Sequence, residues 1–328
     1  MRGTFEMRAA HDGAFNECVR LPPTPLLPVQ LGVGQSTIWC KAEYMHPSGS
    51  TKDRIAAHIL SQALRAGQLK IGGEVAEASS GSTSIAMSMM CSRLGLHFTA
   101  FMPEGVSRER SLMIRAYGGH VILTPKEQGM AGSLQACREW AKSRGAFEPR
   151  QFENMDNAQA HRLGTAVEIL QQVPGGRVDA YVSGVGTGGT IVGLRLGFQD
   201  AGQHPKAIAA RPIAGAGGTR CDCFAAMEQC SFSASIPGVL DDMSHLYHAE
   251  DFVEHQVVQI SDEVAMQTTR ELIGAGHPVG PSSGLNVAAA LHIAHTLPPD
   301  AVIVTVLCDR MERYFSTELF TQWPKVNG

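Results

Sequence analysis

The sequence predicts an α/β protein in which mostly parallel β-sheet is flanked by helices. Short apolar runs alternate with helix-like patterns along most of the 328 residues. Several of these runs end in turns rich in Gly and Ser, and each such turn opens the next helix. The composition, with 44% hydrophobic and 18% charged residues, is that of a globular protein with two domains or one large one.

The alternation is regular in the first half of the chain. Each predicted strand is a short apolar run bounded by turn residues: STIWCKAE, EVAEASSG, LHFTAFMP and HVILTP. Helices are predicted after them, over DRIAAHILSQALRAG, SIAMSMMCSRLG, SRERSLMIRAYG and GSLQACREWAKSRG. Gly67 and Gly95 follow the first two helical patterns and are predicted to end them, since glycine is the usual residue beyond a helix C-terminus.

The same order continues in the second half. AHRLGTAVEILQQV is a predicted helix, VDAYVSGVG a strand, GTIVGLRLGFQ a helix and AVIVTVLCD a further strand. In parallel α/β sheets, ligands bind at the carboxyl ends of the strands. The turns that follow the strands are therefore the places where a functional site is expected.

Charge and cysteine content restrict the class of protein. The net charge of −4 gives no indication of a nucleic-acid or membrane surface, and the N-terminal residues lack the apolar core of a secretory signal. The eight cysteines are scattered, several in apolar runs, which indicates buried free thiols of a cytoplasmic protein. Cys221, Cys223 and Cys230 do not have zinc-site spacing, so no metal site is predicted.

The turn SGVGTGGTIVG, residues 183–193, joins an apolar strand to a helix through a cluster of glycines. Backbone N–H groups in such a turn can surround an anion at the helix N-terminus. The lysine of a Walker A loop is absent, and no acidic strand end follows at the distance that ribose binding needs. A phosphate site is therefore favoured over a plain tight turn.

Two further turns and one lysine each allow two interpretations. EASSGSTSIA could bind a carboxylate through its hydroxyls, and GPSSGLNVAAA could contact a heterocycle, but either could be a simple helix N-cap. Lys52 follows the turn HPSGST at the start of a predicted helix. It could be a surface lysine beside a turn or an amine that takes part in chemistry.

Taken in order, HPSGSTKDR, SSGST, GVGTGGT and PSSG resemble the motifs of fold-type II pyridoxal phosphate (PLP) enzymes. Within this group they are most similar to the cysteine synthase and cystathionine β-synthase family. That family has N-P-x-G-S-x-K-D-R, T-S-G-N-T-G, G-V-G-T-G-G-T and G-x-S-S-G. RLPPTPLLPV, FMPEGVSRERSLMIRAYGGHVILTP, QFENMDNAQAH and CDRMERYFST also resemble family segments, so the similarity covers residues 22–318.

The resemblance implies a two-lobed, tryptophan synthase β-like fold in which each lobe is a mostly parallel sheet flanked by helices. A smaller, mobile, substrate-binding lobe is expected over 45–149. A larger PLP-binding lobe is expected over 1–44 and 150–328. The implied partners are small-molecule amino-acid substrates and a second copy of the chain in a cytoplasmic homodimer, without nucleic acid or membrane.

The resemblance also implies roles for individual residues. Lys52 is the expected catalytic residue, which binds PLP covalently and later moves the α-proton of the substrate. Ser82, which stands where the family has Asn, is expected to contact the phenolic oxygen of the cofactor, and Ser282 its pyridine nitrogen. The expected phosphate ligands are Gly186, Thr187, Gly188, Gly189 and Thr190. The expected ligands of the substrate carboxylate are Ser79, Ser80, Gly81, Thr83 and Gln151.

The implied reaction is β-replacement on serine, an activated serine or cysteine, through an aminoacrylate. One alternative is a β-eliminating lyase, such as a cysteine desulfhydrase or serine dehydratase. Another is a cofactor-bound protein with a regulatory role. The chain also departs from the family in SIPGVLDDM, where Leu240 replaces the second glycine of a loop at the entrance for the second substrate and Asp241 and Asp242 are added. These acids either select the nucleophile by charge or are solvated loop residues.

Overall fold

The computed structural model describes residues 17–32, 36–213, 236–239 and 243–323. The chain divides into two compact units. The first contains Lys52–Val106 and Arg110–Arg150, and the second contains Pro23–Thr51, Ser107–Glu109 and the chain from Gln151 onward. In the described parts of the chain, no helix is both long and apolar enough to cross a membrane.

The strands follow one another as β1 Leu26–Val29, β2 Ile38–Lys41, β3 Glu74–Ala78, β4 His97–Pro103, β5 His120–Thr124, β6 Ala180–Gly184, β7 Lys206–Ile213, β8 His255–Ser261 and β9 Ile303–Val306. The helices are α1 Lys52–Arg65, α2 Ser82–Leu94, α3 Arg108–Ala116, α4 Gly129–Arg144, α5 Asp156–Ala160, α6 Val167–Gln172, α7 Gly189–Asp200, α8 Asp262–Gly274, α9 Pro281–Ala294 and α10 Glu318–Thr321.

Each unit has its own sheet. In the first unit, β3, β4 and β5 are adjacent and parallel. In the second, the described strands have the order β1-β2-β9-β6-β7-β8, and β1–β2 is the antiparallel pair at one edge. The expected class, an α/β fold with mostly parallel sheets flanked by helices, is confirmed.

Burial explains which strands the sequence shows clearly. Every residue of β9 is buried, and so is nearly all of β6, so both strands appear as continuous apolar runs. The edge strand β8, in contrast, alternates exposed and buried positions and carries polar residues. The strands β1, β7 and β8 and the helices α8 and α10 were not among the predicted elements. Strand β8 was not predicted because polar residues interrupt its apolar run. Strand β7 was not predicted because Pro212 interrupts its apolar pattern.

The helix predicted over AHRLGTAVEILQQV forms with one irregularity. Between α5 and α6, residues His161–Ala166 form a π-helical turn, a feature that often occurs beside functional sites. Helix α7 packs closely against this segment. A Cβ atom at Gly193 would overlap the Ala158 carbonyl, and one at Gly197 would overlap Ala166. The glycines of α7 therefore allow the backbones of the two segments to approach each other.

Glycine has the same function where α8 packs on α9, and this predicts an effect on stability. A Cβ atom at Gly284 would overlap the Thr269 hydroxyl and the Ala265 carbonyl. Gly284→Ala should lower the free energy of unfolding by about 1–3 kcal/mol, because the well-packed interface must open. Gly274, at the end of α8, has no neighbouring atom within 4 Å of the same position. Gly274→Ala should be neutral or slightly stabilising. Equal melting temperatures of the two variants would contradict this account of the interface.

The described cysteines agree with the expected free thiols. Cys40, Cys91 and Cys137 are buried and form no disulfide with another described residue, and Cys18 and Cys308 are partly buried. Burial raises the pKa of the Cys40, Cys91 and Cys137 thiols above the ordinary value. Cys221, Cys223 and Cys230 lie outside the described residues. Within the described ranges, no group of three or more His, Cys, Asp or Glu side chains could hold a metal ion.

Candidate active site

The carboxyl edge of the six-stranded sheet brings the predicted Gly-rich turn and the second Ser-rich turn together. Strand β6 ends at Gly184, whose N–H donates to the Asn286 Oδ1 atom at 2.7 Å. The Nδ2 atom of the same Asn286 donates to the Val306 carbonyl, at the end of β9, at 2.8 Å. Asn286 lies on α9 and is 1% exposed. One buried side chain thus joins the loop after β6, the end of β9 and α9.

The Gly-rich loop after β6 has the donors of an anion site. Helix α7 begins at Gly189, and Gly188 before it has φ +81°, a conformation that favours glycine. Among the described residues, none accepts a hydrogen bond from the backbone N–H of Gly186, Thr187, Gly188 or Thr190. These donors lie at the positive end of a 12-residue helix. The loop therefore fits a phosphate group.

Side chains around the loop fix its shape. Ser244 Oγ donates to the Thr187 carbonyl at 2.8 Å, and a Cβ atom at Gly188 would overlap that Ser244 oxygen. A Cβ atom at Gly186 would overlap the Gly238 carbonyl. The Thr190 Oγ1 atom lies 3.3 Å from the buried His161 Nε2 atom, on the π-helical turn. Thr187 and Thr190 are thus hydrogen-bonded to neighbouring side chains, and Gly186 and Gly188 have no room for a Cβ atom.

The two serines at the start of α9 have different environments. Ser283 is fully buried, and its Oγ atom accepts a hydrogen bond from the Cys308 N–H at 2.9 Å. Ser282 is partly exposed, and its hydroxyl makes no hydrogen bond with any described residue. Ser283 therefore holds α9 to the end of β9, whereas the hydroxyl of Ser282 is available for a ligand.

The loop that leads to Lys52 is fixed to the same sheet edge. The Ser48 carbonyl accepts from the fully buried Arg313 guanidinium at 2.6 Å. Thr51, the residue before Lys52, donates its N–H to the Cys308 carbonyl at 2.9 Å. Lys52 is the first residue of α1 and is partly buried. The chain that enters α1 is therefore held at the carboxyl end of β9.

The first Ser-rich turn opens α2 in the first unit. Ser79 Oγ accepts from the N–H groups of Gly81 and Ser84, each at 3.2 Å, and lies 2.6 Å from the Ser84 hydroxyl. Ser79 therefore caps the turn, which is the simpler of its two interpretations. Ser80 is partly exposed, and its hydroxyl bonds to no described residue. Thr83 is 3% exposed and Ser82 is partly buried. The carboxylate-binding role of this turn stays a prediction.

Gln151 belongs to the second unit and is 2% exposed. It follows Arg150, which has φ +51° and is the one residue other than glycine with positive φ in the described chain. Such strain commonly marks a functional segment. The Gln151 carbonyl accepts from Asn157 Nδ2 at 2.8 Å. Sequence reasoning gave no role to Asn157, although it lies in QFENMDNAQAH, and it missed the supporting roles of Ser244, Asn286 and Arg313.

Asp241 and Asp242, with the neighbouring Leu240, lie outside the described residues. Their expected influence on the second substrate therefore stays a prediction.

Comparison with known proteins defines the class of this site. The model of the family described as "Pyridoxal-phosphate dependent enzyme" matches residues 20–309. The chain belongs to this family and is a PLP-dependent enzyme, as the phosphate-fitting loop and the ordered motifs indicate.

Particular relatives are cysteine synthases and related enzymes. The chain is 36% identical over 304 residues to cysteine synthase B of Escherichia coli strain K12, covering 90% of this chain and 93% of that protein. The structure of O-ureido-L-serine synthase has a TM-score of 0.83 at 32% identity, over 95% of this chain and 96% of that one. The O-acetylserine-dependent cystathionine β-synthase from Helicobacter pylori has a TM-score of 0.80 at 28% identity, over 93% and 98%. The chain is thus similar to cysteine synthases over nearly its whole length.

Proposed function

We propose that the protein catalyses β-replacement on serine or an activated serine, in which the β-substituent leaves and a nucleophile takes its place. The observation that carries this proposal is the pairing of two features at one sheet edge. Among the described residues, none accepts from the N–H groups of Gly186, Thr187, Gly188 or Thr190, which fit a phosphate, and Ser282 has a neutral hydroxyl available for a ring nitrogen. The relatives named above, a cysteine synthase and an O-ureido-L-serine synthase, support the same class of reaction.

When bound, PLP supplies an electron sink for the α-carbon of an amino acid. The N–H groups and hydroxyls of Gly186, Thr187, Gly188, Gly189 and Thr190 bind its phosphate. Ser282 would contact the pyridine nitrogen and, because a hydroxyl is neutral, would keep the sink weaker than a carboxylate would. A weak sink favours loss of the β-substituent over chemistry that needs a stable carbanion.

Lys52 would hold the cofactor covalently through its Nζ atom, and the same atom would move the substrate α-proton. Ser79, Ser80, Gly81 and Thr83 orient the substrate carboxylate, and Ser79 also shapes their turn. Gln151 contributes to the same carboxylate. Ser82, at the position of the family Asn, donates its shorter hydroxyl to the phenolic oxygen of the cofactor.

Product identification tests the reaction. Purified enzyme is incubated with serine, O-acetylserine, O-phosphoserine or cysteine, with and without sulfide or a neutral thiol. The proposal expects a new β-substituted amino acid whose formation depends on the nucleophile. Pyruvate formed at the same rate with and without nucleophile would instead identify a β-eliminating lyase. Turnover of none of the four donors would favour the regulatory alternative. The Lys52→Ala variant is the control for reaction without enzyme catalysis.

The two serines of α9 offer a matched pair of variants. Ser282→Ala should lower kcat about tenfold, the effect expected for one lost hydrogen bond to the reacting cofactor, at an unchanged melting temperature. Ser283→Ala should instead lower the melting temperature and leave kcat unchanged. Ser283 accepts a hydrogen bond from the Cys308 N–H in the interior, and this buried donor would lose its partner. Steady-state kinetics and thermal unfolding distinguish the two effects. A Ser282→Ala enzyme with unchanged kcat would argue against its contact with the cofactor.

The lobe assignment, 45–149 for the mobile substrate-binding lobe and the rest for PLP binding, is part of the same proposal. A cytoplasmic location is supported by the buried free thiols of Cys40, Cys91 and Cys137. A homodimer is supported by exposed apolar side chains four residues apart on one helical segment, Leu163 at 61% and Val167 at 41% exposure. Light scattering on the eluting protein measures the mass directly, and a monomer mass at micromolar concentration would contradict the dimer.

A further inference from the structure

Asn157 is fully buried on α5, between two segments of the proposed site. Its Nδ2 atom donates one hydrogen to the Gln151 carbonyl and the other to Thr187 Oγ1, each at 2.8 Å. Its Oδ1 atom has no hydrogen-bond partner in the described structure. The orientation of the amide is fixed, because a carbonyl oxygen such as that of Gln151 can only accept.

These contacts leave the Thr187 hydroxyl able to act only as a hydrogen-bond donor. A threonine hydroxyl has one hydrogen to donate and two lone pairs. The Thr187 oxygen accepts from Asn157 Nδ2 and, at 3.5 Å, from the Gly189 N–H. Among the described residues none accepts the Thr187 hydroxyl hydrogen. Asn157 therefore sets Thr187 as a donor, the role that a phosphate oxygen requires.

The position of Asn157 also explains a residue requirement in the loop. A Cβ atom at Gly189 would overlap Asn157 Oδ1, so the first residue of α7 must be glycine while Asn157 keeps this position. The other contact of Asn157 holds the carbonyl of Gln151, directly after the strained Arg150. A buried side chain that bridges two segments transmits a shift of one to the other, since the interior around it is closely packed.

We propose that Asn157 is a positioning residue that couples the two ligand-binding segments of the site. Through Thr187 it aligns a hydroxyl donor for the cofactor phosphate, and through the Gln151 backbone it holds the segment that binds the substrate carboxylate. This inference rests on the proposed function, because both ligands are those of a PLP-dependent β-replacement enzyme.

The test compares Asn157→Ala, Thr187→Val and the double variant, with Thr305→Val as control. Thr305 is also buried and donates to the Val182 carbonyl at 2.8 Å, in the interior of the sheet. The PLP dissociation constant is measured by visible absorbance after dialysis of the holoenzyme against a PLP series. Asn157→Ala and Thr187→Val should each raise this constant about tenfold, the effect of a lost hydrogen bond to a charged group. Because both substitutions act through one hydroxyl, the PLP dissociation constant of the double variant should exceed that of Thr187→Val by no more than about twofold.

Substrate kinetics measure the other contact of Asn157. At saturating PLP, Asn157→Ala should raise the KM of the amino-acid donor about tenfold with a smaller change in kcat, whereas Thr187→Val should leave that KM within about twofold. Thr305→Val should lower the melting temperature and change neither constant.

The outcomes separate this inference from the proposed function. Wild-type protein that binds no PLP would overturn both. Wild-type protein that binds PLP, with Asn157→Ala or Thr187→Val binding it equally well, would overturn the inference alone. The inference would also be overturned if the effects of the two substitutions on the PLP dissociation constant multiply in the double variant, because the two residues would then act independently. If Asn157→Ala does not fold, the nearly isosteric Thr187→Val still decides whether the hydroxyl binds the phosphate.

Discussion

Replacing Lys52 with alanine should reduce turnover by about 10³-fold or more, because under the proposed function the variant would lose both the covalent link to PLP and the base that moves the α-proton. The visible absorbance of the lysine-bound cofactor should disappear with it. Lys52 begins α1, directly after a loop whose backbone is hydrogen-bonded to the Cys308 carbonyl and to the Arg313 guanidinium. These bonds do not involve the Lys52 side chain, so the fold should persist in the variant.

Two further variants separate the chemistry of Lys52 from its charge. Lys52→Arg keeps a positive side chain but cannot form the covalent link, so its turnover should be as low as that of Lys52→Ala. Lys70, an exposed lysine in the turn after α1, serves as the matched control. Lys70→Ala should keep wild-type turnover and absorbance. Wild-type activity of Lys52→Ala would show that another residue holds the cofactor.

Replacing Gly188 with aspartate should lower the affinity for PLP by about a thousandfold. Two unit charges near 4 Å repel by about 4 kcal/mol at an effective dielectric constant of 20, so a carboxylate beside the phosphate opposes binding strongly. Gly188 also has φ +81°, and a Cβ atom there would lie 2.9 Å from the Tyr247 Cβ atom. The purified variant should therefore contain little or no cofactor, as absorbance and released PLP would both report.

Gly202→Asp is the control for Gly188→Asp. Gly202 has φ +71°, similar to that of Gly188, but no atom lies within 4 Å of its Cβ position. It follows the other end of α7, the end at which no anion is expected. The substitution imposes the same backbone strain and the same charge away from the loop. Gly202→Asp should retain PLP, and equal cofactor contents in the two variants would contradict the phosphate site.

Local patterns were sufficient to predict the elements that surround the site. The apolar run of β6 followed by glycines predicted the turn, in which Gly188 has the positive φ that favours glycine, and the anion site expected there stays a prediction. Gly95 likewise ends α2 in a left-handed conformation, as expected. These features depend on neighbouring residues in the chain, which a sequence shows directly.

Contacts between distant residues were not predictable in the same way. Asn157 and Thr187 are 30 positions apart, and Ser48 and Arg313 are 265 apart, so no local pattern connects them. The two serines of PSSG look equivalent in the sequence, yet Ser283 is buried against Cys308 and Ser282 is not. Tertiary packing decides each of these roles.

The proposal that Lys52 binds PLP covalently is tested most directly by locating the cofactor on the chain. The purified protein is treated with borohydride, which makes a lysine–pyridoxyl bond permanent, and is then digested and analysed by mass spectrometry. If Lys52 binds PLP, a single modified peptide that contains Lys52 is expected. A pyridoxyl group on a different lysine, or unmodified peptides throughout from a protein supplied with PLP, would contradict the proposal.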